Sequence, residues 1–172
     1  MSNTKIYYKN LIWLFIAALI IMLDQTSKIW AVSHLMMHQP VYILSFFNLT
    51  LDYNTGAAFS FLSHLHGGQR WFLISFCTLI SIGIIIWLLR IPSERKWLAF
   101  SLMLILGGGL ANLWDRITLG YVIDFIQWHI SHWSWPIFNV GDSAITVGSV
   151  ILEINLFFEP RSTYNSPRYS SP

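Results

Sequence analysis

The sequence predicts an all-α membrane protein built around a bundle of four transmembrane helices. Of the 172 residues, 55% are hydrophobic and only 10% are charged, whereas an average soluble domain has roughly 25% charged residues. The ionisable side chains are too few to form the polar shell of a soluble protein. Four apolar segments have about the length, roughly 20 residues, that a helix needs to cross a bilayer. They cover about residues 11–32, 71–89, 97–114 and 137–158.

Tryptophans mark both ends of the first three segments. The pairs are Trp13 and Trp30, Trp71 and Trp87, and Trp97 and Trp114. In a helix that rises about 1.5 Å per residue, each pair spans roughly 25 Å, which is close to the thickness of the hydrocarbon core. Because indole rings favour the membrane interface, these pairs independently support three of the spans.

The distribution of basic residues predicts the orientation. With four spans, both termini and the link between the second and third spans share one side, and this side holds all but three of the 10 lysines and arginines. Only Lys28, Arg70 and Arg116 fall at the other side. Since cytoplasmic loops are rich in lysine and arginine, we expect both termini in the cytoplasm. Residues 1–160 are expected to form one domain, and residues 161–172, rich in Pro and Ser, a disordered cytoplasmic tail.

The N-terminal segment admits a second interpretation. Lys5 and Lys9, the short apolar run 11–23 and the small residues 31–33 also fit a cleaved signal peptide. The polar stretch "DQTSK" at 24–28 argues against that interpretation, because its residues can take part in a membrane site.

Two segments between the spans have a distinct character. In "FFNLTLDYNTG", residues 46–56, apolar and polar residues alternate, which predicts a strand that ends in a turn at "NTG". Residues 115–136 are too polar to span a membrane and too aromatic for a plain loop. We therefore expect interfacial structure there, on the extracytoplasmic face.

Polar residues near the membrane converge at its outer boundary. The first and third spans run outward and the fourth runs inward, so that their polar ends meet. The converging residues are Asp24, Lys28, Asn54, Asn112, Asp115, Arg116, Asp124, Asn139 and Asp142. Ionisable residues in spans are rare and usually functional, while interhelical polar contacts contribute only about 0.6 kcal/mol on average. This convergence indicates a functional site rather than packing alone.

Carboxylates are the best candidates for the chemistry of this site. The sequence has no nucleophile-elbow serine, no His-Glu-x-x-His motif and no cysteine near a histidine. Two aspartates at a partly dry site can share a proton, so that one acts as a base on water while the other donates. Asp124 and Asp142 fit such a pair, and Asp24, Asp52 and Asp115 remain competitors.

Two further pairs are suggested by spacing. Asp115 stands next to Arg116, which favours an ion pair at a helix end. Asp24 and Lys28 are four residues apart on one helix, a spacing that suits either a structural pair or a pair that orients substrate.

Four motif blocks, taken in order, resemble those of the bacterial lipoprotein signal peptidase family, signal peptidase II. They are "DQTSK" at 24–28, "NTGAAFS" at 54–60, "GGGLANLWDRITLGYVIDFI" at 107–126 and "FNVGDSAITVG" at 138–148. The resemblance covers the chain from the first span to the fourth. Ala111 and Gly141 stand where the family usually has Gly and Ala, and both are exchanges between small residues.

This resemblance implies a fold and a function. The fold is four transmembrane helices with a small extracytoplasmic β-cradle and an interfacial helix. The activity is that of an aspartyl endopeptidase of the bacterial cytoplasmic (inner) membrane, which cleaves the signal peptide from diacylglyceryl-modified prolipoproteins just before the lipidated cysteine. The implied partners are these substrates and membrane lipids, with no nucleic acid, metal or organic cofactor, and the protein is expected to be a monomer.

The resemblance also implies roles for particular residues. The catalytic pair falls on Asp124 and Asp142, which lies about a turn and a half into the predicted fourth span. The supporting residues are Asp24, Lys28, Asn54, Gly56, Asn112, Arg116 and Asn139.

Three other functions fit the sequence less well. An intramembrane protease with a Gly-x-Gly-Asp motif would need glycine where Asn139 stands. A proton-coupled transporter would be expected to place its acids nearer the middle of the membrane and to show repeat symmetry. A purely structural subunit would not explain why the acids converge.

Overall fold

The computed structural model describes residues 6–56, 68–130 and 133–158. A 3-10 helix, Tyr8–Trp13, precedes α1 (Leu14–His34), β1 (Val41–Leu44), β2 (Phe47–Asn54), α2 (Gly68–Arg90), α3 (Lys96–Thr118), β3 (Val122–Ile130), β4 (Trp133–Ser134) and α4 (Val140–Phe157). Within these described residues, four helices are long and apolar enough to cross a membrane, and each coincides with one predicted span. The predicted tail, residues 161–172, lies outside the described residues.

The helix α3 is the centre of the bundle and packs against α1, α2 and α4. Its apolar residues Leu102, Met103 and Leu106 are at most 1% exposed. In the middle of α3, a side chain on Gly108 would overlap the carbonyl oxygen of Gly141 at the start of α4. Only glycine therefore permits this close crossing, which brings the following turn of α3 beside the first turn of α4.

The bundle has two distinct ends. We call the sheet end the one where α1 and α3 finish, α2 and α4 begin, and the strands lie. We call the other the turn end, because residues 91–95 connect α2 to α3 there. At the turn end the Asn10 amide donates to the carbonyls of Leu88 and Ile91, at 2.9 and 2.7 Å, and so ties the N-terminal 3-10 helix to the end of α2.

The strands form one antiparallel sheet in the order β1-β2-β3-β4. β2 confirms the predicted strand, and its bounds, Phe47–Asn54, match the alternation of apolar and polar residues. Its polar residues stand opposite those of β3, with Asn48 paired to Gln127 and Asp52 paired to Asp124. The register shifts between Leu49 and Asp52.

The segment expected to be interfacial, residues 115–136, forms the end of α3 and the strands β3 and β4. Four apolar helices and a small antiparallel sheet thus agree with the fold that the resemblance implies. The described residues contain no additional helix between the spans that would correspond to the implied interfacial helix, and residues 57–67 lie outside them.

The fourth helix begins later than predicted. Phe138 pairs with Ile126 as an isolated bridge, so residue 138 belongs to the edge of the sheet. Asn139 is extended and caps α4, which begins at Val140. The expected depth of Asp142, a turn and a half into the span, is therefore wrong: Asp142 is the third residue of the helix, in its first turn.

Candidate active site

The structure brings Asp124 and Asp142 to the wall of one cavity of about 830 Å³ at the sheet end. Asp124 lies in β3 and is 1% exposed, while Asp142 projects from the first turn of α4. The polar part of the wall consists of Asp52, Asn54, Asn112, Arg116, Asp124, Asp142, Ser143 and Thr146. The apolar part consists of Val122, Trp128, Trp135, Pro136, Ile137, Phe138, Ile145 and Val147.

Asn139 connects the two aspartates. Its side-chain amide donates to Asp124 Oδ1 at 2.6 Å. Its backbone N–H donates to Asp142 Oδ2 at 3.3 Å, and its side-chain oxygen accepts from the Asp142 backbone N–H at 2.8 Å. Asn139 and Asp142 thus form a reciprocal capping box. The capping box that starts α4 therefore also holds Asp142 beside the residue that binds Asp124.

Asp124 is held from a second side and is difficult to ionise. The Asn54 amide donates to Asp124 Oδ2 at 3.0 Å, which occupies the oxygen that Asn139 leaves free. Burial, and then the nearby charge of Asp142, raise the pKa of Asp124 to about 7 against the opposing effect of these amide donors. A carboxyl group with this pKa can hold or release a proton near neutral pH.

Asn112 fixes Asp142 and is itself fixed by Lys28. The Asn112 amide nitrogen donates to Asp142 Oδ1 at 2.8 Å. Its oxygen accepts from Lys28 Nζ at 2.9 Å and from Asn139 Nδ2 at 3.1 Å. Because two cationic or amide donors point at this oxygen, the Asn112 amide has only one favourable orientation, and in it the nitrogen faces Asp142.

A buried charge network supports Asn112. Lys28 Nζ lies 2.7 Å from Asp24 and 2.8 Å from Asp115, so that its three donors are all used. Asp24 Oδ1 also accepts from the Gly141 backbone N–H at 2.7 Å, and this bond ties α1 to the start of α4. The pair that the spacing of Asp24 and Lys28 suggests is therefore formed.

Asp115 does not form the predicted ion pair with Arg116. Neighbouring residues of a helix point in directions about 100° apart, and Asp115 turns inward to Lys28. Arg116 instead donates to the backbone carbonyls of Gly56 and Asn112, at 3.1 and 3.3 Å. Gly56 returns its N–H to Asn54 Oδ1 at 3.0 Å, so Arg116 steadies the turn that carries Asn54.

Asp52, one of the competing carboxylates, also lines the cavity. It stands opposite Asp124 in the sheet, but its carboxylate lies 3.7 Å from the ring of His38 and is partly exposed. The described ranges 6–56, 68–130 and 133–158 contain no group of three or more His, Cys, Asp and Glu side chains that could hold a metal ion.

Three residues of this region were not singled out from the sequence. Gln25 donates to Asp115 Oδ1 at 2.8 Å and more weakly to Asp24. Gln69 donates to the Thr55 carbonyl, and Arg70 to the carbonyls of Arg116 and Ile117. A polar residue within or at the start of an apolar helix was the available signal, but the sequence does not tell which carbonyl or carboxylate such a residue meets.

Known proteins resemble this chain over almost its whole length. The family described as "Signal peptidase (SPase) II" matches residues 16–158. A lipoprotein signal peptidase of Acinetobacter baumannii is 50% identical over 154 residues, which is 90% of this chain and 88% of the relative. One of Pseudomonas aeruginosa is 44% identical over 157 residues, covering 90% and 93%.

Solved structures show the same arrangement of the chain. A bacterial membrane enzyme at 2.3 Å resolution superposes with a TM-score of 0.81 at 25% identity, covering 96% of this chain and 98% of its own. A second such structure, at 1.9 Å, has a TM-score of 0.78 at 26% identity and covers 92% and 100%.

Proposed function

This chain belongs to the signal peptidase II family and is an aspartic endopeptidase of a bacterial membrane, and we propose that its substrates are diacylglyceryl-modified prolipoproteins. It cuts the signal peptide just before the lipidated cysteine. The observation that carries the proposal is Asn139, which holds one carboxylate with its side chain and the other with its backbone at a cavity that has both polar and apolar lining residues.

In the proposed mechanism, Asp124 and Asp142 share one proton and act on a water molecule between them and the peptide carbonyl. The ionised carboxylate removes a proton from the water as its oxygen bonds to the carbonyl carbon, and the protonated one donates to the carbonyl oxygen. The tetrahedral gem-diol then breaks its C–N bond as the leaving nitrogen takes the proton that the first carboxyl group received from water. One hydroxyl group of the diol returns its proton to the second aspartate as the carboxylic acid forms, which restores the shared proton. The raised pKa of Asp124, about 7, supports a pair that retains this proton at neutral pH.

The supporting residues have proposed roles that follow from their contacts. Asn54 donates to Asp124 Oδ2 and Asn112 to Asp142 Oδ1, which fixes the orientation of both carboxylates at the cavity wall. Lys28 and Asp24 fix Asn112 and the start of α4, and Arg116 with Gly56 fixes the turn that carries Asn54. These groups hold a geometry that catalysis needs within a fraction of an ångström.

The walls of the cavity support a lipidated substrate. Trp128, Trp135, Ile145 and Val147 line the cavity, and such apolar side chains suit acyl chains or an apolar signal helix. A prolipoprotein carries its acyl chains in the outer leaflet and its signal helix in the bilayer. We propose that the sheet end lies at the extracytoplasmic face of the cytoplasmic membrane, with both termini in the cytoplasm. We also propose that the enzyme works as a monomer in contact with membrane lipids.

The experiment compares two precursors that differ only in the lipid. Purified protein in detergent or proteoliposomes is given one prolipoprotein with and without the diacylglyceryl group on its cysteine, and cleavage is followed by mass spectrometry. We expect cleavage immediately before the modified cysteine and little cleavage of the unmodified precursor. Equal cleavage of both, or cleavage at another bond, would contradict the proposed substrate.

A further inference from the structure

The first turn of α2 touches the active-site region without lining the cavity. Arg70 donates from Nε to the Arg116 carbonyl at 2.8 Å and from Nη2 to the Ile117 carbonyl at 2.9 Å. The last carbonyls of a helix have no partner within the helix, so Arg70 closes the end of α3 from outside. Gly120 follows with a φ of 91°, and Arg70 Nη1 lies 3.4 Å from where its Cβ would be.

The neighbouring residue, Gln69, reaches a different element. Its buried amide donates to the Thr55 carbonyl at 2.8 Å, directly before Gly56 in the turn that follows β2. Two consecutive side chains of α2 therefore hold the end of α3 and the end of β2 at a fixed separation. We call this pair the α2 clamp.

Both elements that the clamp holds send side chains to the site. The turn after β2 carries Asn54, whose amide is 3.0 Å from Asp124 Oδ2. The end of α3 carries Arg116, which donates to Gly56 of that same turn and to the Asn112 carbonyl. A small movement of either element would change the hydrogen bond that Asn54 makes to the carboxylate.

We propose that Gln69 and Arg70 are positioning residues for the aspartate pair, acting through Asn54 and Arg116. The inference rests on the proposed function for its catalytic readout. Neither side chain is among the residues of the cavity wall. Both are therefore expected to affect kcat through the geometry of the aspartate pair, without contacting the substrate. Loss of either contact frees a carbonyl at the sheet end and lets Asn54 drift from Asp124.

The test uses Arg70→Gln, Arg70→Lys and Gln69→Leu in the full chain, with Arg90→Gln as the matched control. Arg90 ends the same helix at the turn end. For Arg70→Gln and Gln69→Leu we expect kcat for the lipidated precursor to fall about tenfold, because catalytic geometry tolerates little displacement. KM should stay within about twofold, since the cavity wall is intact.

Two variants serve as controls for this loss. Arg70→Lys should recover part of kcat, because an ammonium can satisfy one carbonyl, and Arg90→Gln should match the wild type.

Hydrogen exchange provides a readout independent of activity. In Arg70→Gln and Gln69→Leu, the backbone amides of residues 54–56 and 119–120 should exchange faster, and those of α1 should not. Unchanged exchange in that turn, unchanged kcat, or a loss of kcat no larger than the loss of folded protein would overturn the inference. A wild type that cleaves no lipidated precursor would contradict the proposed function, while the exchange result would still decide whether the clamp holds this turn.

Discussion

The two ends of the bundle satisfy their buried polar groups in different ways. At the turn end, polar side chains serve the backbone: Asn10 donates to two carbonyls at the end of α2, and Ser101 donates to the Leu98 carbonyl. At the sheet end, polar side chains mainly bind one another, and Lys28 lies within 2.8 Å of both Asp24 and Asp115.

This difference separates stability from function. Hydrogen bonds to otherwise unpaired carbonyls and close apolar packing stabilise a fold directly. Buried ion pairs contribute little net stability, because the loss of solvation offsets much of the attraction. The sheet end therefore has an arrangement that packing does not require, and we expect variants of its aspartate pair to lose activity before they lose stability. Variants at the turn end should do the reverse.

The largest expected effect comes from neutralising either aspartate of the pair. Asp124→Asn and Asp142→Asn keep the size of the side chain and one of its two acceptor oxygens but cannot share or transfer a proton. Because acid–base groups contribute about 100-fold to 10,000-fold, and here both halves are needed, we expect kcat for the lipidated precursor to fall at least about 1,000-fold. The measurement is single-turnover cleavage by each purified, folded variant.

Asp52→Asn is the matched control for this loss. Asp52 lines the same cavity and faces Asp124 across the sheet, but its carboxylate is directed at His38. We expect cleavage by this variant to stay within a few-fold of the wild type. A loss as large as that of Asp124→Asn would show that Asp52 belongs to the reacting group, and the proposed pair would have to be revised.

The second effect is a pH dependence of stability confined to the sheet end. The pKa of Asp124 is raised from 3.8 to about 7, so the folded protein binds this proton more tightly than the unfolded chain does. Asp124 therefore reduces the free energy of unfolding progressively as pH rises from about 4 to about 7, by an amount on the order of 4 kcal/mol, and no further above that.

Thermal unfolding of Asp124→Asn tests the sign of this effect. The asparagine has no proton to lose, so the variant's midpoint relative to the wild type should rise as pH increases between about 4 and 7 and then stay level. Asn10→Leu, at the turn end, should give a difference from the wild type that does not depend on pH. Parallel curves for Asp124→Asn and the wild type would contradict the raised pKa.

The third effect distinguishes the two roles of Asn139, which caps α4 and also binds Asp124. In Asn139→Ser, the hydroxyl can still cap α4, but it cannot reach Asp124 as the amide does at 2.6 Å. We expect kcat to fall about 100-fold, because the carboxylate loses its alignment, while the unfolding midpoint falls less than in a variant that also loses the cap. Asn139→Ala, which removes both functions, should lower both quantities. Full activity of the serine variant would mean that the cap alone explains Asn139.

Much of the fold could be predicted because its signals are local. Apolar length and tryptophan positions gave the spans, and alternation gave β2 with its bounds. The start of α4 was misjudged because Ile137 and Phe138 are apolar, and only their contact with β3 shows that residue 138 is at the edge of the sheet rather than in the helix.

For the candidate site, the location of the polar residues could be predicted but their binding partners could not. The topology alone brought the polar residues to one end, because it depends only on the direction of each span. The partner of each residue was not predictable: Asp115 stands beside Arg116 in sequence but binds Lys28. Gln69 and Arg70 contact backbone carbonyls, which carry no sequence signal. Gln69 and Arg70 also lie outside the recognisable motif blocks, so their part in the site is found only in the structure.

The smallest effect on activity is expected at the turn end. Asn10→Leu leaves the carbonyls of Leu88 and Ile91 without their donor, and an unpaired buried carbonyl costs about 1 to 3 kcal/mol. The unfolding midpoint should fall, while kcat of the folded protein stays within about twofold of the wild type, because no bond of this amide leads to Asp124 or Asp142. Asn155→Leu is the control, since the Asn155 bond found among the described residues goes to the Ile151 carbonyl of its own helix, and this variant should lower the midpoint less. If Asn10→Leu instead reduced kcat as strongly as Asn139→Ser, the two ends would be coupled through the helices, and the separation of stability from function would fail.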